Sequence, residues 1–150
     1  VSTFETPDRT GFERTVGDVH TRVRRIESSL PPARFNIKMS PDGRLVSTVD
    51  SFIFMVPRDL DASHLIDVEL YVTTAGTGAT RLQVVHVQRG TNMLSTELKI
   101  DAGEYDTTTA SVPAVINVAN DHVSWGDRLS LDVLAVGGAL GLGAILVFGY

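Results

Sequence analysis

The run Ile66-Asp67-Val68-Glu69-Leu70-Tyr71-Val72-Thr73 sets Ile66, Val68, Leu70 and Val72 against Asp67, Glu69, Tyr71 and Thr73. That period of two is the pattern of a half-buried strand with one face in the core and one toward water. Leu94, Thr96, Leu98 and Ile100 alternate in the same way with Ser95, Glu97 and Lys99. Leu129, Leu131, Val133 and Ala135 repeat the pattern against Arg128, Ser130 and Asp132. Two other runs, Phe52-Ile53-Phe54-Met55-Val56 and Ala144-Ile145-Leu146-Val147-Phe148, are apolar on both faces. Such strands need cover on the second face, which a neighbouring subunit can supply. Turn signals lie between the runs: Pro41-Asp42-Gly43, Ala75-Gly76-Thr77-Gly78, Arg89-Gly90-Thr91-Asn92, Asp101-Ala102-Gly103, Trp125-Gly126-Asp127 and Gly137-Gly138. Eight or nine strands with hairpins and one or two long connections are expected. They predict an all-β fold, an antiparallel β-sandwich of jelly-roll type.

Upstream the period changes. In Phe12 to Leu30 the apolar residues are Phe12, Val16, Val19, Val23, Ile26 and Leu30, at heptad spacing. Val16, Val23 and Leu30 fall at a, and Phe12, Val19 and Ile26 at d. So narrow a stripe has little to bury alone, and an isolated helix of this length is marginal in water. The segment predicts a partner. Arg22 at g and Glu27 at e can pair between chains, with the arginine stem covering the seam. Arg22 to Glu27, RVRRIE, resembles the signature of short parallel trimeric coiled coils, and β-branched residues at a and d lean away from two strands. The expected assembly is a homotrimer; the alternative is an amphipathic helix packed on its own domain. Pro31-Pro32 ends the helix. The organisation is an extended arm (1–11), a coiled-coil helix (12–30), a linker and first strand (31–43) and a β-sandwich (44–150).

At 150 residues this is one domain with an appendage, and a net charge of −5 with no broad basic face argues against nucleic acid. The chain has no cysteine, so stability comes from burial and association. The polar N-terminal segment VSTFETPDRT does not read as a signal peptide. Leu129 to Tyr150 is long enough for a membrane span, but Asp132 and the glycines at 137, 138, 141 and 143 fit two strands and a turn better. No membrane span is expected.

Catalytic chemistry finds little footing. His20, His64, His86 and His122 are widely separated in sequence, in no metal-ligand spacing. His86 reads as packed or pore-lining. Asp101, Glu104 and Asp106 lack the spacing of a calcium loop and read as a solvated turn. There is no nucleophile elbow, and no glycine pair opens a helix to cradle phosphate. The expectation is no catalytic residue, no metal, no cofactor and no enzyme. The functional residues expected are those of oligomerisation: Phe12, Val16, Val19, Arg22, Val23, Ile26, Glu27 and Leu30.

A polar arm, a small coil and a compact β-sandwich resemble the small virion proteins of tailed bacteriophages. Tyr71 to Ala79 followed by Leu82 to Val85 looks like their strand-turn-strand, and Trp125 to Val133 like their penultimate strand. Gly143 to Tyr150 looks like their closing strand, and Val46 to Pro57 like their opening strand. The resemblance covers roughly 44–150. It implies a structural protein of a phage particle, made in the host cytoplasm and located in the virion at a tail tip, baseplate or tail fibre. The arm and coil would plug into other phage structural proteins and the sandwiches face outward, toward a host-surface glycan. Capsid decoration or a head fibre would show the same features. A trimeric carbohydrate-binding module, with Trp125 and Tyr105 as candidate platforms, is a further alternative, although a Trp beside Gly126 reads more simply as a core plug. A trimeric ligand of the tumour-necrosis-factor type would require secretion.

Overall fold

The alternating runs do become strands, and their pairing decides which faces meet. The computed structural model describes residues 31–150, so the arm and the coiled-coil helix lie outside the described residues. The chain runs β1 (Ala33–Lys38), β2 (Phe52–Met55), β3 (His64–Thr74), β4 (Thr80–His86), β5 (Thr91–Asn92), β6 (Leu94–Thr96), β7 (Leu98–Ile100), β8 (Val115–Ile116), β9 (Arg128–Ala135) and β10 (Leu140–Gly149). Two 3₁₀ turns, Thr48–Asp50 and Arg58–Leu60, are its helical elements among the described residues.

In the first sheet β10 lies between β1 and β3; in the second the order is β2-β9-β4-β5, with β7 also on β4. β6 and β8 form a separate ribbon. All pairings are antiparallel. The protein is therefore all-β. Ile37, Leu70, Ala144 and Leu146 of the first sheet share one core with Leu82, Val84, Leu129 and Leu131 of the second. Pro32–Gly149 form one compact unit, with β1 paired along its length to β10. Leu129 to Tyr150 is indeed two strands and a turn, and no helix among the described residues is long and apolar enough to cross a membrane.

Two expectations need correction. In β3, Leu65 faces Phe148 and Asp67 faces Val147, leaving Ile66 as the extra residue of a bulge. A bulge shifts a strand's phase by one residue. Leu65 is thus fully buried and Ile66 is 44% exposed, while from Val68 onward the expected faces hold. The run 94–100 is not one strand but β6 and β7. Val85 faces Asn92 and Leu82 faces Leu98, and Met93 still bonds the Val84 carbonyl at 2.8 Å, so Leu94 to Glu97 must loop out opposite Gln83. The buried Gln83 amide holds that excursion: its oxygen accepts the Leu94 N–H at 3.2 Å and its nitrogen donates to the Leu94 carbonyl at 3.2 Å. The first strand lies in 31–43, as expected, and Val46 to Pro57 follows it. It holds a 3₁₀ turn and β2, and β1 precedes it.

The glycine turns at 75–78 and 137–138 meet at one end of the unit. The Gly78 N–H donates to the Gly137 carbonyl at 3.0 Å. A Cβ on Gly137 would lie 2.0 Å from the Gly78 oxygen, and one on Gly76 would lie 2.3 Å from the Gly137 oxygen. Backbone touches backbone here, and only glycine fits. Gly137→Ala should therefore destabilise the unit by about 1–3 kcal/mol, the usual range for overpacking. Denaturant unfolding checks this; an unchanged midpoint would show that the two turns are not held in contact.

Candidate functional site

Strand β2 is an edge strand with apolar residues on both faces. Opposite β9 it sets Phe52 and Phe54 against the buried Leu131 and Leu129, and Ile53 and Met55 against Ser130 and Arg128 on the outer face. Phe54 packs into a ring cluster with Phe35 of β1 at 5.3 Å and Phe148 of β10 at 5.7 Å between centroids. This cluster ties the β1 edge of one sheet to the β2 edge of the other. Outward, Ile53 is 53% and Met55 58% exposed, and Val49 in the preceding 3₁₀ turn and Leu134 of β9 are exposed as well. The turn packs beside β9, whose outward positions also include Arg128, opposite Met55, and Asp132. Edge strands are usually guarded by charge, proline or a covering segment. β1 has exposed Arg34 and Lys38; β2 has no charged residue.

The second run expected to need outside cover, Ala144 to Phe148, receives cover within the chain. β10 is a central strand, and the Tyr71 ring lies where a Cβ on Gly143 would be, 2.2 Å from it. Tyr71 is fixed by its hydroxyl, which donates to the Asn36 Oδ1 at 2.5 Å, and by the Lys38 ammonium 5.6 Å from the ring centroid. Ile66 covers Gly149 in the same way.

The opposite edge of the first sheet is also closed by the chain itself. Along β3 the Val72 N–H donates to the Tyr105 carbonyl at 2.8 Å and the Leu65 N–H to the Asp121 carbonyl at 2.8 Å. Thr107 bonds Leu70 through both its N–H and its hydroxyl. Between β3 and this loop opens a cavity of about 370 Å³, lined by Asp67, Glu69, Leu98, Thr107, Thr108 and Pro113 among others.

At the end where β1 begins, Trp125-Gly126-Asp127 forms a locked turn. Gly126 has φ +89°, a conformation that favours glycine, and its N–H donates to the Val56 carbonyl at 3.0 Å. The Val56 N–H returns a bond to the Asp127 carbonyl at 2.8 Å. Asp127 also accepts the Ser124 N–H at 2.8 Å and bonds Nε2 of the buried His86 at 2.7 Å. Nδ1 of His86 accepts the Arg89 N–H at 3.2 Å, so Nε2 carries the hydrogen given to Asp127. Burial pushes the Asp127 carboxyl up, but the His86 and Ser124 hydrogen bonds and the charge of Arg89 outweigh it and hold it below its ordinary value.

Trp125 is not a core plug. It is 53% exposed, with the Arg58 guanidinium 4.2 Å from its ring centroid and its backbone N–H donating to Asp61 at 2.8 Å. His64 and His122, far apart in sequence, meet here as edge-on rings 5.2 Å apart, and His64 Nδ1 bonds Asp121 at 2.8 Å. Sequence spacing carried no signal of that meeting, because it depends on how loop 117–127 returns to β3. His86 is packed, as expected. Among the described residues no group of three or more histidines, aspartates and glutamates is placed to hold a metal. In the loop read as a solvated turn, Asp101 accepts bonds from Ser111 and Asp106 from Thr108, and both carboxyls are lowered by them. The expected oligomerisation residues Phe12, Val16, Val19, Arg22, Val23, Ile26, Glu27 and Leu30, and His20, lie outside the described residues.

No family profile matches the chain, and no curated protein matches it in sequence. Among solved structures it is similar to the NLP core of Drosophila, described in relation to pentamer formation and histone binding. Identity is 9%, coverage 79% of this chain and 98% of that one, and the TM-score 0.41. It is also similar to the SPBc2 prophage-derived protein YomS, at 12% identity, 79% and 96% coverage and a TM-score of 0.38.

Because the folded pKa of Asp127 lies below its unfolded value, its contribution is complete above about pH 4 and is lost as pH falls through the folded value. Asp101 and Asp106 act in the same sense. Wild-type stability should therefore decline below about pH 4, and Asp127→Asn should be less stable at pH 7 but decline less steeply in acid. Denaturant midpoints from pH 7 to 2.5 test this. Parallel curves would remove Asp127 from the acid response.

Proposed function

We propose that this chain is a non-enzymatic structural protein of a tailed-phage particle. It assembles as a homotrimer through the Phe12–Leu30 seam and displays its β-units at a tail tip, baseplate or tail fibre. The observation that carries the reading is positional. Tyr71 to Val85 spans β3, a tight turn and β4, while Trp125 to Val133 enters β9 and Gly143 to Tyr150 follows β10. β9 and β10 are the last two strands, as the resemblance requires. A jelly-roll connectivity is part of the proposal. The orders β1-β10-β3 and β2-β9-β4 support it, since each sheet draws its strands alternately from the two ends of the chain.

The chain enters its β-unit at Ala33, which pairs with Phe148 beside His64. The far end of the strands carries the glycine turns and Pro41-Asp42-Gly43. Capsid decoration or a head fibre would use the same arrangement.

Light scattering should give three times the 16.2 kDa chain mass. Replacing Val19, Val23 and Ile26 together with asparagine should reduce that mass. A variant that stays fully trimeric at low micromolar concentration would sink the coil. Particle membership is tested separately, by mass spectrometry of purified phage from the source; absence of the chain there would overturn the virion role while leaving the trimer intact.

One observation favours a second reading, a carbohydrate-binding module: Trp125 is exposed with Arg58 across its face. As the sole tryptophan, it would report a bound sugar by a change in emission during titration with host-surface glycans. Unchanged emission, together with equal retention of wild type and Trp125→Ala on a glycan array, would reject that reading.

A further inference from the structure

We infer that His64 and His122 form a two-imidazole site for a divalent transition ion of the zinc, nickel or copper class, where loop 117–127 meets the start of β3. The inference is independent of the virion reading and of the trimer.

The backbone sets the pair. The Leu65 N–H donates to the Asp121 carbonyl at 2.8 Å, and the Val123 N–H to the Ser63 carbonyl at 2.9 Å. These two bonds flank an isolated antiparallel bridge that sets His64 opposite His122. The pair is therefore of the non-hydrogen-bonded kind, in which Cα atoms stand about 4.5 Å apart and side chains come closest. Both side chains leave the same face, and both reach solvent: His122 is exposed and the His64 side chain is 44% accessible.

The rings are prepared for an ion. His64 Nδ1 lies 2.8 Å from Asp121 Oδ1. An ionised carboxylate only accepts, so in the neutral ring Nδ1 carries the hydrogen and Nε2 keeps its lone pair. A carboxylate placed in this way fixes the tautomer and orientation of a metal-binding histidine. At His122 it is the backbone carbonyl that is engaged, by Arg89 Nη2 at 2.5 Å, and the exposed ring is free to turn toward the same point.

The spacing fits as well. The ring centroids are 5.2 Å apart, with the planes 71° from parallel. An ion about 2.1 Å from one nitrogen of each ring lies about 3.2 Å from each centroid, and at the tetrahedral angle the centroids then stand about 5.2 Å apart. Among the described residues no group of three or more histidines, aspartates and glutamates is placed to hold a metal, so water completes the shell. Imidazole donors select zinc, nickel and copper over calcium and magnesium, which take oxygen ligands. An ion held here ties the loop that carries Trp125 to the first residue of β3.

The test uses the untagged full chain carrying His20→Gln, which removes the histidine of the heptad segment. The remaining histidine, His86, is buried with both ring nitrogens engaged. Calorimetric titration with Zn²⁺ at neutral pH should give one ion per chain. His64→Gln and His122→Gln should each weaken binding at least tenfold. Asp121→Asn, a change at a positioning residue, should weaken it by about tenfold or more. Paramagnetic resonance of the Cu²⁺-loaded chain should count two nitrogen donors, and Asp121→Asn should keep that count at lower affinity. Unfolding midpoints without metal verify that the variants fold, and the copper spectrum of the intact pair does not depend on them. No Zn²⁺ binding up to millimolar concentration, or binding that both histidine variants retain, would overturn the inference and leave the two rings as packing only. A copper spectrum with fewer than two nitrogen donors would overturn it too.

Discussion

The ladder of β10 is the constraint on which the first sheet depends. The last strand of the chain enters between β1, the first described strand, and β3, and bonds both. Without it β1 has no partner within the sheet, and the core loses Leu142, Ala144, Leu146 and Phe148. These contacts, such as Ala33 with Phe148, are strongly non-local, and such pairings form slowly because loop closure precedes them. A strand that is central and apolar on both faces must also be covered twice. The core covers one face. On the other, small residues in the strand let a neighbour's side chain lie flat, as Tyr71 does over Gly143, and this partly offsets the weakening that glycine brings to a strand.

The second sheet is organised from its end. The Trp125-Gly126-Asp127 turn joins β9 to the end of β2 through Val56 and to β4 through His86. One aspartate therefore serves as a turn cap and as the partner of a buried histidine. The same turn leaves Trp125 outside, resting on Arg58. The Asp127 side chain and the backbone hold the turn, while the indole faces out.

Much of this was legible in the sequence, because period-two alternation marks half-buried strands and glycine or proline marks the turns between them. The 66–73, 82–85 and 129–135 runs landed in β3, β4 and β9. What failed failed locally. No alternation rule foresees that Ile66 becomes a bulge residue, since the bulge answers to the ladder with β10 rather than to its own neighbours. Likewise the 94–100 run alternates throughout, but a buried glutamine on another strand competes for its backbone and splits it. The side-chain meetings at the looped end, His64 with His122 and His86 with Asp127, depend on tertiary closure and left no spacing to find. The eight seam residues belong to sequence alone.

The two runs that looked alike in sequence, Phe52 to Val56 and Ala144 to Phe148, met opposite fates, and topology separates them. A central strand has neighbours on both sides whose side chains can reach over it; an edge strand has one. β10 therefore finds its cover in Tyr71 and Ile66, while the outer face of β2 has only β9 beside it, with Ser130 and Arg128 opposite Ile53 and Met55. β3 shows that this chain can close an edge when it spends a loop on it: residues 105–107 and 121 run along it as a surrogate strand. No comparable segment among the described residues runs along β2. Burial of apolar surface is the main favourable term in association as in folding. The outer face of β2 accordingly keeps Ile53 and Met55 exposed, where β10 buries Val147.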